Sequence, residues 1–123
     1  MIQIAMAELT PSPLAPAQFP DLPPIAGIKL ATAATGLKYK GRDDLFLIMA
    51  DEGSSFAGVF TKSVTAAAPV HVSRAGLKNG NARAVLTNAG NANAFTGHAG
   101  EAEISIYRSA FAAALDLTEE QIL

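Results

Sequence analysis

The sequence predicts a mixed α/β fold, a sheet with helices packed on it, and three observations carry that prediction. A continuous apolar run, Leu45 to Ala50 (LFLIMA), stands between Asp44 and Asp51, the pattern of a buried strand. Ile104, Tyr107, Phe111 and Leu115 recur at three- and four-residue spacing and therefore share one helical face. Between them, Ala82 to Thr87 leads into a polar loop and then into that helix, so strands and helices are interleaved along the chain.

Six of the seven prolines fall between Pro11 and Pro24. Proline donates no ladder hydrogen bond and does not continue a helix, so residues 1–23 read as an extended, irregular leader suited to lying over a partner, and residues 24–123 as the domain proper. Ile25 to Thr35 mixes β-branched with small residues and reads as a strand ending at Gly36. The polar turn LKYKGRDD follows, with Gly41 available for positive φ. Leu45 to Ala50 reads as a strand buried on both faces, DEGSS as a turn, and Phe56 to Lys62 as a third strand, hairpin-paired with the second and bulged at Gly58.

Pro69 opens either a strand or a short helix. The favoured reading is strand through Val72, then a helical turn over Ser73 to Leu77 that stops at Asn79-Gly80. Ala82 to Thr87 is the next strand, and a helix runs from about Gly100 to Leu115. Thr118, with Gln121 three residues on, has the form of a capping box over one helical turn. Ile122-Leu123 then reads as a strand just beginning, so the chain looks interrupted.

At 123 residues the chain is one domain at most. Half of the residues are hydrophobic and 16% are charged, which is more apolar than an ordinary soluble domain and fits a chain that keeps an apolar face for a partner. A net charge of −2 without a basic stripe argues against nucleic-acid binding. The absence of cysteine excludes disulfides, thiolate catalysis and zinc-thiolate sites. His71 and His98 are far apart and lack carboxylates at ligand spacing, so no metal site is expected. No apolar run approaches the roughly 20 residues of a membrane helix, and the first residues carry no signal-peptide pattern, so the expectation is a cytoplasmic protein.

The stretch Ala82 to Gly100, ARAVLTNAGNANAFTGHAG, is where function is to be sought. A strand, a polar loop and a helix start gather backbone N–H groups and side-chain amides at the positive end of a helix, where an anionic or carbonyl-bearing ligand is favoured. The candidate substrate-binding residues are Asn88, Asn91, Asn93, Thr96 and Gly97. The competing reading is a self-tied connection, because asparagine both donates and accepts and tolerates left-handed backbone. Gly90, Gly97 and Gly100 are spaced wrongly for a dinucleotide fingerprint, and no Gly-Lys-Ser/Thr forms a P-loop.

No complete catalytic set emerges. Ser54, Ser55, Ser63 and Ser73 are candidate partners for His71 or His98, yet none sits in a G-x-S-x-G elbow, and they read as hydroxyls in turns. The adjacent pairs Asp43-Asp44 and Glu119-Glu120 diverge in a strand or turn and read as turn and cap residues. Thr96-Gly97 offers backbone N–H groups to an oxyanion, with no nucleophile in view.

The succession AGIKLATAATGLKYKGRDDLFLIMAD, AGVFTKSVTAAAPVHVSRAGL and ARAVLTNAGNANAFTG, with a helix ending in TEEQIL, resembles the amino-terminal part of the ornithine acetyltransferase family, the bifunctional glutamate N-acetyltransferases of arginine biosynthesis. The likeness covers Pro24 to Leu123; its most specific marks are GVFT at Gly58 to Thr61, AAPV at Ala67 to Val70 and the asparagine motif at Asn88 to Gly97. It implies part of the layered α/β fold shared with the amino-terminal-nucleophile aminopeptidases. It also implies a two-step acyl transfer: a precursor cleaves itself before an internal threonine, which then carries acetyl from N-acetylornithine to glutamate. No bound cofactor is implied; acetyl-CoA serves some members as co-substrate. The implied partners are the remaining alpha-chain segment and a beta chain, in a further homo-oligomer.

The resemblance puts the oxyanion Thr-Gly just after Leu123 and the nucleophile further on, so no catalytic residue is expected in this chain. Thr96-Gly97 matches the asparagine motif and does not inherit the oxyanion role. Two other readings stand beside a portion of an acetyltransferase: a non-catalytic truncated homologue acting as a binding or assembly module, and an aminopeptidase-like branch, against which the motifs weigh.

Overall fold

The computed structural model of the chain describes residues 12–37, 40–78, 80–90 and 92–123. Its centre is the apolar run itself. Strand β2 (Leu45–Ala50) is flanked on one side by β1 (Ile28–Ala33) and on the other by β3 (Ala84–Asn88), both antiparallel to it. Ile28 stands opposite Ala50 and Ala33 opposite Leu45, while β3 aligns Asn88 with Leu45 and Ala84 with Met49. Helix α1 (Ala68–Lys78) lies between β2 and β3 in the chain, and α2 (Gly97–Leu115) follows β3.

Side chains alternate across a strand, so this register assigns Leu45, Leu47, Ala84, Leu86 and Asn88 to one face of the sheet. That face carries the core: Ala84, Ala112 and Ile122 are buried, with Leu47, Leu86, Phe111 and Leu117 packed against them. The opposite face presents Leu30, Phe46, Ile48 and Val85. Leu30 there is 65% exposed and Phe46 and Ile48 are half-buried. The expectation that β2 is buried on both faces is thus corrected: the helices cover one face, and only Ala50 of this strand is buried.

Three further readings change. Phe56 to Lys62 is not a strand, because both edges of β2 are already taken, by β1 and β3. This segment is instead pinned to α1: Arg74 donates to the Thr61 carbonyl at 2.7 Å and stands 5.5 Å from the Phe60 ring centre. Gly58 is no bulge; a Cβ there would lie 2.9 Å from Leu77 Cδ1, so it marks a close approach to the helix. The segment entering at Pro69 is helical from Ala68, with proline in the first turn, where its missing N–H costs nothing. Ala68 and Gly76, eight residues apart, are buried, and Gly76 admits the Leu123 side chain, which a Cβ would meet at 2.7 Å.

The chain end closes the core. Thr118 and Gln121 form the expected capping box, Thr118 N–H donating to Gln121 Oε1 at 2.9 Å, over a 3-10 turn, Glu119–Gln121. Arg108 donates to the Glu119 carbonyl, and Ser109 Oγ to the Glu119 carboxylate. Ile122 then bridges Ala84 in parallel: Arg83 N–H donates to Gln121 O at 2.8 Å, Leu123 N–H to Ala84 O at 2.9 Å, and Leu86 N–H to Leu123 O at 2.9 Å. The beginning strand read at Ile122-Leu123 is therefore present as a bridge along the outer edge of β3. Residues 12–26 form no strand or helix and are exposed. Residues 1–11 of the leader, Lys38 and Tyr39 of the turn, and Asn79 lie outside the described residues.

Candidate functional site

The asparagine loop leaves the sheet at the end of β3 beside a buried carboxylate. Asp44 is 3% exposed, and its carboxylate accepts Thr35 N–H at 2.6 Å, Thr35 Oγ1 at 2.7 Å and Leu37 N–H at 2.7 Å. The Thr35 hydroxyl and then the Thr35 backbone N–H hold its pKa below the ordinary carboxylate value. Ala89 N–H donates to the Asp44 carbonyl at 2.8 Å, so the same residue fixes the β1–β2 connection and the start of the loop. Sequence reasoning read Asp44 only as a turn residue. Its one signal was its place immediately before the apolar run.

Asn88 ends β3 on the helix-covered face. Asn91 lies outside the described residues. Asn93 is 7% exposed; its carbonyl accepts Ala68 N–H at 3.3 Å, tying the loop to the first residue of α1. Phe95 follows with φ of 59°, a left-handed conformation unusual for an aromatic residue, and its ring is 88% exposed. Thr96 is the N-cap of α2 and makes no side-chain capping hydrogen bond; Gly97, the first helical residue, has φ of 55°.

Helix α2 thus starts three residues earlier than the expected Gly100, because the loop folds down over its first turn. Gly100 is buried there, and a Cβ would lie 2.0 Å from Thr96 Oγ1 and 3.4 Å from Asn93 Cβ. A glycine that sequence reasoning took as a helix start is a packing position inside the helix.

Two concavities flank the loop. Asn88 and Asn93 line a partly open cavity of about 120 Å³ between sheet and helices, walled by Leu45, Val72, Leu86 and Phe111. Arg108, whose Nε is buried with no hydrogen-bond partner, also lines it. Asn93, Thr96 and Gly97 line an open depression of about 340 Å³ between the starts of α1 and α2, with His71, His98 and Glu101. The structure thus groups Asn93 with Thr96 and Gly97 on one side and with Asn88 on the other. The two histidines, distant in sequence, meet in that depression. Shared by it are the first turns of both helices, a grouping no local sequence pattern announces.

No nucleophile–base pair forms among the described residues. Ser63 Oγ shares a hydrogen bond with Thr65 Oγ1 at 2.9 Å, His71 Nε2 faces the Ala66 carbonyl at 3.2 Å, and His98 Nδ1 faces Glu101 at 3.4 Å. Among the described residues, no helix is long and apolar enough to cross a membrane.

Comparison with known proteins gives consistent results. The sequence model of the ArgJ family matches residues 29–123. The chain is 50% identical over 111 residues to the arginine biosynthesis bifunctional protein ArgJ of Agrobacterium fabrum, covering 90% of this chain and 27% of that one. It is 56% identical over 86 residues to the protein of the same name from Brucella suis, covering 70% and 21%. Among solved structures it is similar to the ornithine acetyltransferase of Mycobacterium tuberculosis complexed with ornithine, with a TM-score of 0.75 and 38% identity over 79% of this chain and 53% of the other. The ArgJ structure from Bacillus halodurans gives a TM-score of 0.73 at 30% identity, covering 79% and 51%. The chain spans about a quarter of the length of these curated relatives.

Proposed function

This chain belongs to the ArgJ family, and we propose that it is one part of an arginine-biosynthesis acetyltransferase that moves an acetyl group from N-acetylornithine to glutamate. The acyl group rests on a threonine outside these 123 residues, freed by self-cleavage. Acetyl-CoA is the alternative acyl donor, no cofactor is resident, and the working unit is cytoplasmic. This chain associates there with the remaining alpha-chain segment and a beta chain, and the assembly repeats as a homo-oligomer.

One observation carries the reading. Ile122 and Leu123 run parallel to β3, whose other end opens into the asparagine loop. At about 3.3 Å per residue, polypeptide continuing from Leu123 along that edge reaches the level of the loop within three or four residues. Oxyanion donors placed just after Leu123, as the resemblance implies, then stand beside Asn93 and the start of α2. The loop is a wall of the acyl-transfer centre, and the chemistry comes from the neighbouring strand.

The test is acetyl transfer from N-acetylornithine to glutamate, with intact mass measured on the same sample. The 123-residue chain alone is expected to be inactive. Activity is expected when it is co-purified with the remaining polypeptide of a relative. Transfer by the isolated 12.7 kDa species would put the nucleophile inside this chain and overturn the proposal. A stable but inactive complex would leave it an assembly module.

A further inference from the structure

We infer that the outer edge of β1 is a self-association surface, on which a second copy of this chain pairs antiparallel and joins two three-stranded sheets into one. This contact is one surface of the homo-oligomer in the proposed reading; the pairing itself rests on backbone geometry and does not require acetyl transfer.

Two hydrogen bonds fix which way each residue of the sheet faces. Asp51 N–H donates to the Gly27 carbonyl at 2.8 Å, and Ala50 N–H to the Arg83 carbonyl at 2.8 Å. In an antiparallel ladder a residue's N–H and C=O point the same way, and that direction alternates along the strand. Ala50 thus turns to β3, and Ile28, which stands opposite it, turns away from β2. Lys29, Ala31 and Ala33 therefore bond β2, while Ile28, Leu30 and Thr32 direct their backbone groups outward. Among the described residues, Ile28 N–H is taken by the Ile25 carbonyl at 3.2 Å, and the N–H and C=O of Leu30 and Thr32 meet no partner. Nothing blunts this edge: IKLATA contains no proline and one charge, its register with β2 runs without a bulge, and every residue from Lys29 to Ala33 is exposed.

The open groups are self-complementary, which makes a second copy the partner they fit. With a two-fold axis through Ala31, Leu30 N–H donates to the second copy's Thr32 carbonyl and Leu30 C=O accepts its N–H; the axis repeats the exchange at Thr32. Moving the axis to Leu30 would set Thr32 opposite Ile28, whose N–H is already engaged, and leave the Thr32 carbonyl without a donor. At Ala31 the strands meet in a non-hydrogen-bonded pair, with Cα atoms about 4.5 Å apart, so the closest contact falls to a small side chain. Lys29 falls opposite Ala33, about 13 Å along the strand from the other lysine and beyond the screening length of about 8–10 Å. Residues of the same face oppose each other, so the helix-covered faces of both copies lie on one side. On the other side the open row Val85, Ile48, Leu30 continues across the junction to the second copy's Thr32.

The 123-residue chain has no cysteine, so a single introduced thiol reports the register. Ala31→Cys should form an intermolecular disulfide on mild oxidation, because the two-fold pair stands within disulfide range. Ala33→Cys, on the same face but off the axis, should cross-link at least tenfold more slowly. Sedimentation equilibrium from micromolar to millimolar concentration should show reversible association to twice 12.7 kDa. Amide exchange at Leu30 and Thr32 should slow as concentration rises, while that at Lys29 and Ala31, bonded to β2, changes little. Leu30→Pro removes an outward donor, the one place in a strand where proline is tolerated, and should abolish the dimer. Ala31→Glu, at an exposed position, sets like charges at the axis and should weaken association at least tenfold, whether or not the proline variant folds. A monomer at every concentration, a dimer that Ala31→Glu leaves intact, or equal cross-linking at positions 31 and 33 would overturn the assignment. So would protection of the Leu30 and Thr32 amides independent of concentration, which puts another part of the same chain on this edge. Acetyl transfer by the reconstituted enzyme without β1 pairing removes this inference alone. Pairing at β1 without acetyl transfer removes the functional reading and leaves the dimer standing.

Discussion

Replacing Ile122 by alanine tests the claim that the chain end completes the core. Ile122 is 0% exposed and is the large side chain most fully buried among the described residues. It packs with Ala84 and Ala112 against Leu47, Leu86, Phe111 and Leu117. Ile122→Ala removes three carbons, a transfer loss of about 2.4 kcal/mol at about 0.8 kcal/mol each. The space left behind adds to this, and large-to-alanine core changes span about 2–5 kcal/mol. Ile122 already borders the 120 Å³ cavity, so the vacated volume merges with it instead of collapsing, and the expected cost is about 3–4 kcal/mol. That is a large share of the roughly 5–15 kcal/mol typical of a domain. Urea unfolding followed by circular dichroism measures it, with Ile122→Val as a control at about 1 kcal/mol. Hydrogen exchange at the Arg83, Leu86 and Leu123 amides, which bond along this edge, should lose protection in the alanine variant. A loss below about 1 kcal/mol with those amides still protected would show that the terminal bridge is an ornament and refute the reasoning.

Other substitutions probe the loop and its supports. Gly100→Ala meets Thr96 Oγ1 at 2.0 Å; overpacking of about 1–3 kcal/mol outweighs the helix-propensity gain of about 1 kcal/mol, and a Thr96→Ala background recovers part of the loss. A stabilising Gly100→Ala in the wild-type background would contradict the close approach. Phe95→Asn should raise stability by about 0.5–1 kcal/mol, because asparagine tolerates the left-handed φ and the exposed ring packs on little; a thermal melt that moves down refutes this. Asp44 has a lowered folded pKa, so its contribution is present above the unfolded carboxylate value and is lost as pH falls through the folded one. Asp44→Asn should therefore lower stability at neutral pH and flatten the acid limb of the stability curve, and an acid limb identical to wild type would exclude the role. The wild-type chain on its own should bind an apolar dye at the face bearing Leu30, Phe46, Ile48 and Val85; absence of binding would mean that this face is covered.

What could be read beforehand follows from the range of the forces involved. The existence of β2 was legible because a six-residue apolar run stands between two aspartates, though not which face it buries; α2 was legible because its apolar residues recur at helical spacing, and the capping box because its partners are three residues apart. The segment 56–62 was misread because strand propensity says nothing about whether an edge is available. Pro69 to Val72 was misread because valine and histidine at Val70 to Val72 look β-like locally, whereas proline at the second helical position and the burial of Ala68 and Gly76 decide for helix. Asn93 was legible as a candidate by type, but its burial and its tie to Ala68 are tertiary facts. Asp44 is the clearest case. An aspartate between a glycine-containing turn and a strand looks like any turn residue until the donors of Thr35 and Leu37, nine and seven positions away, are seen to converge on it.

The same architecture explains why the candidate residues gather around a single loop. A three-stranded sheet with helices on one face can bury only that face, and the residues free to specialise are those where elements end. Here β3, α1 and α2 all end or begin around one loop, which concentrates amide donors and helix-terminal field in a single place. A nucleophile and its base need a second rigid element facing that place at hydrogen-bond distance. On the proposed reading such an element enters along the outer edge of β3, which is already paired in parallel with Ile122 and Leu123. On the proposed reading, donors and reacting groups are divided between polypeptide segments, and acetyl transfer requires the second segment to lie alongside β3.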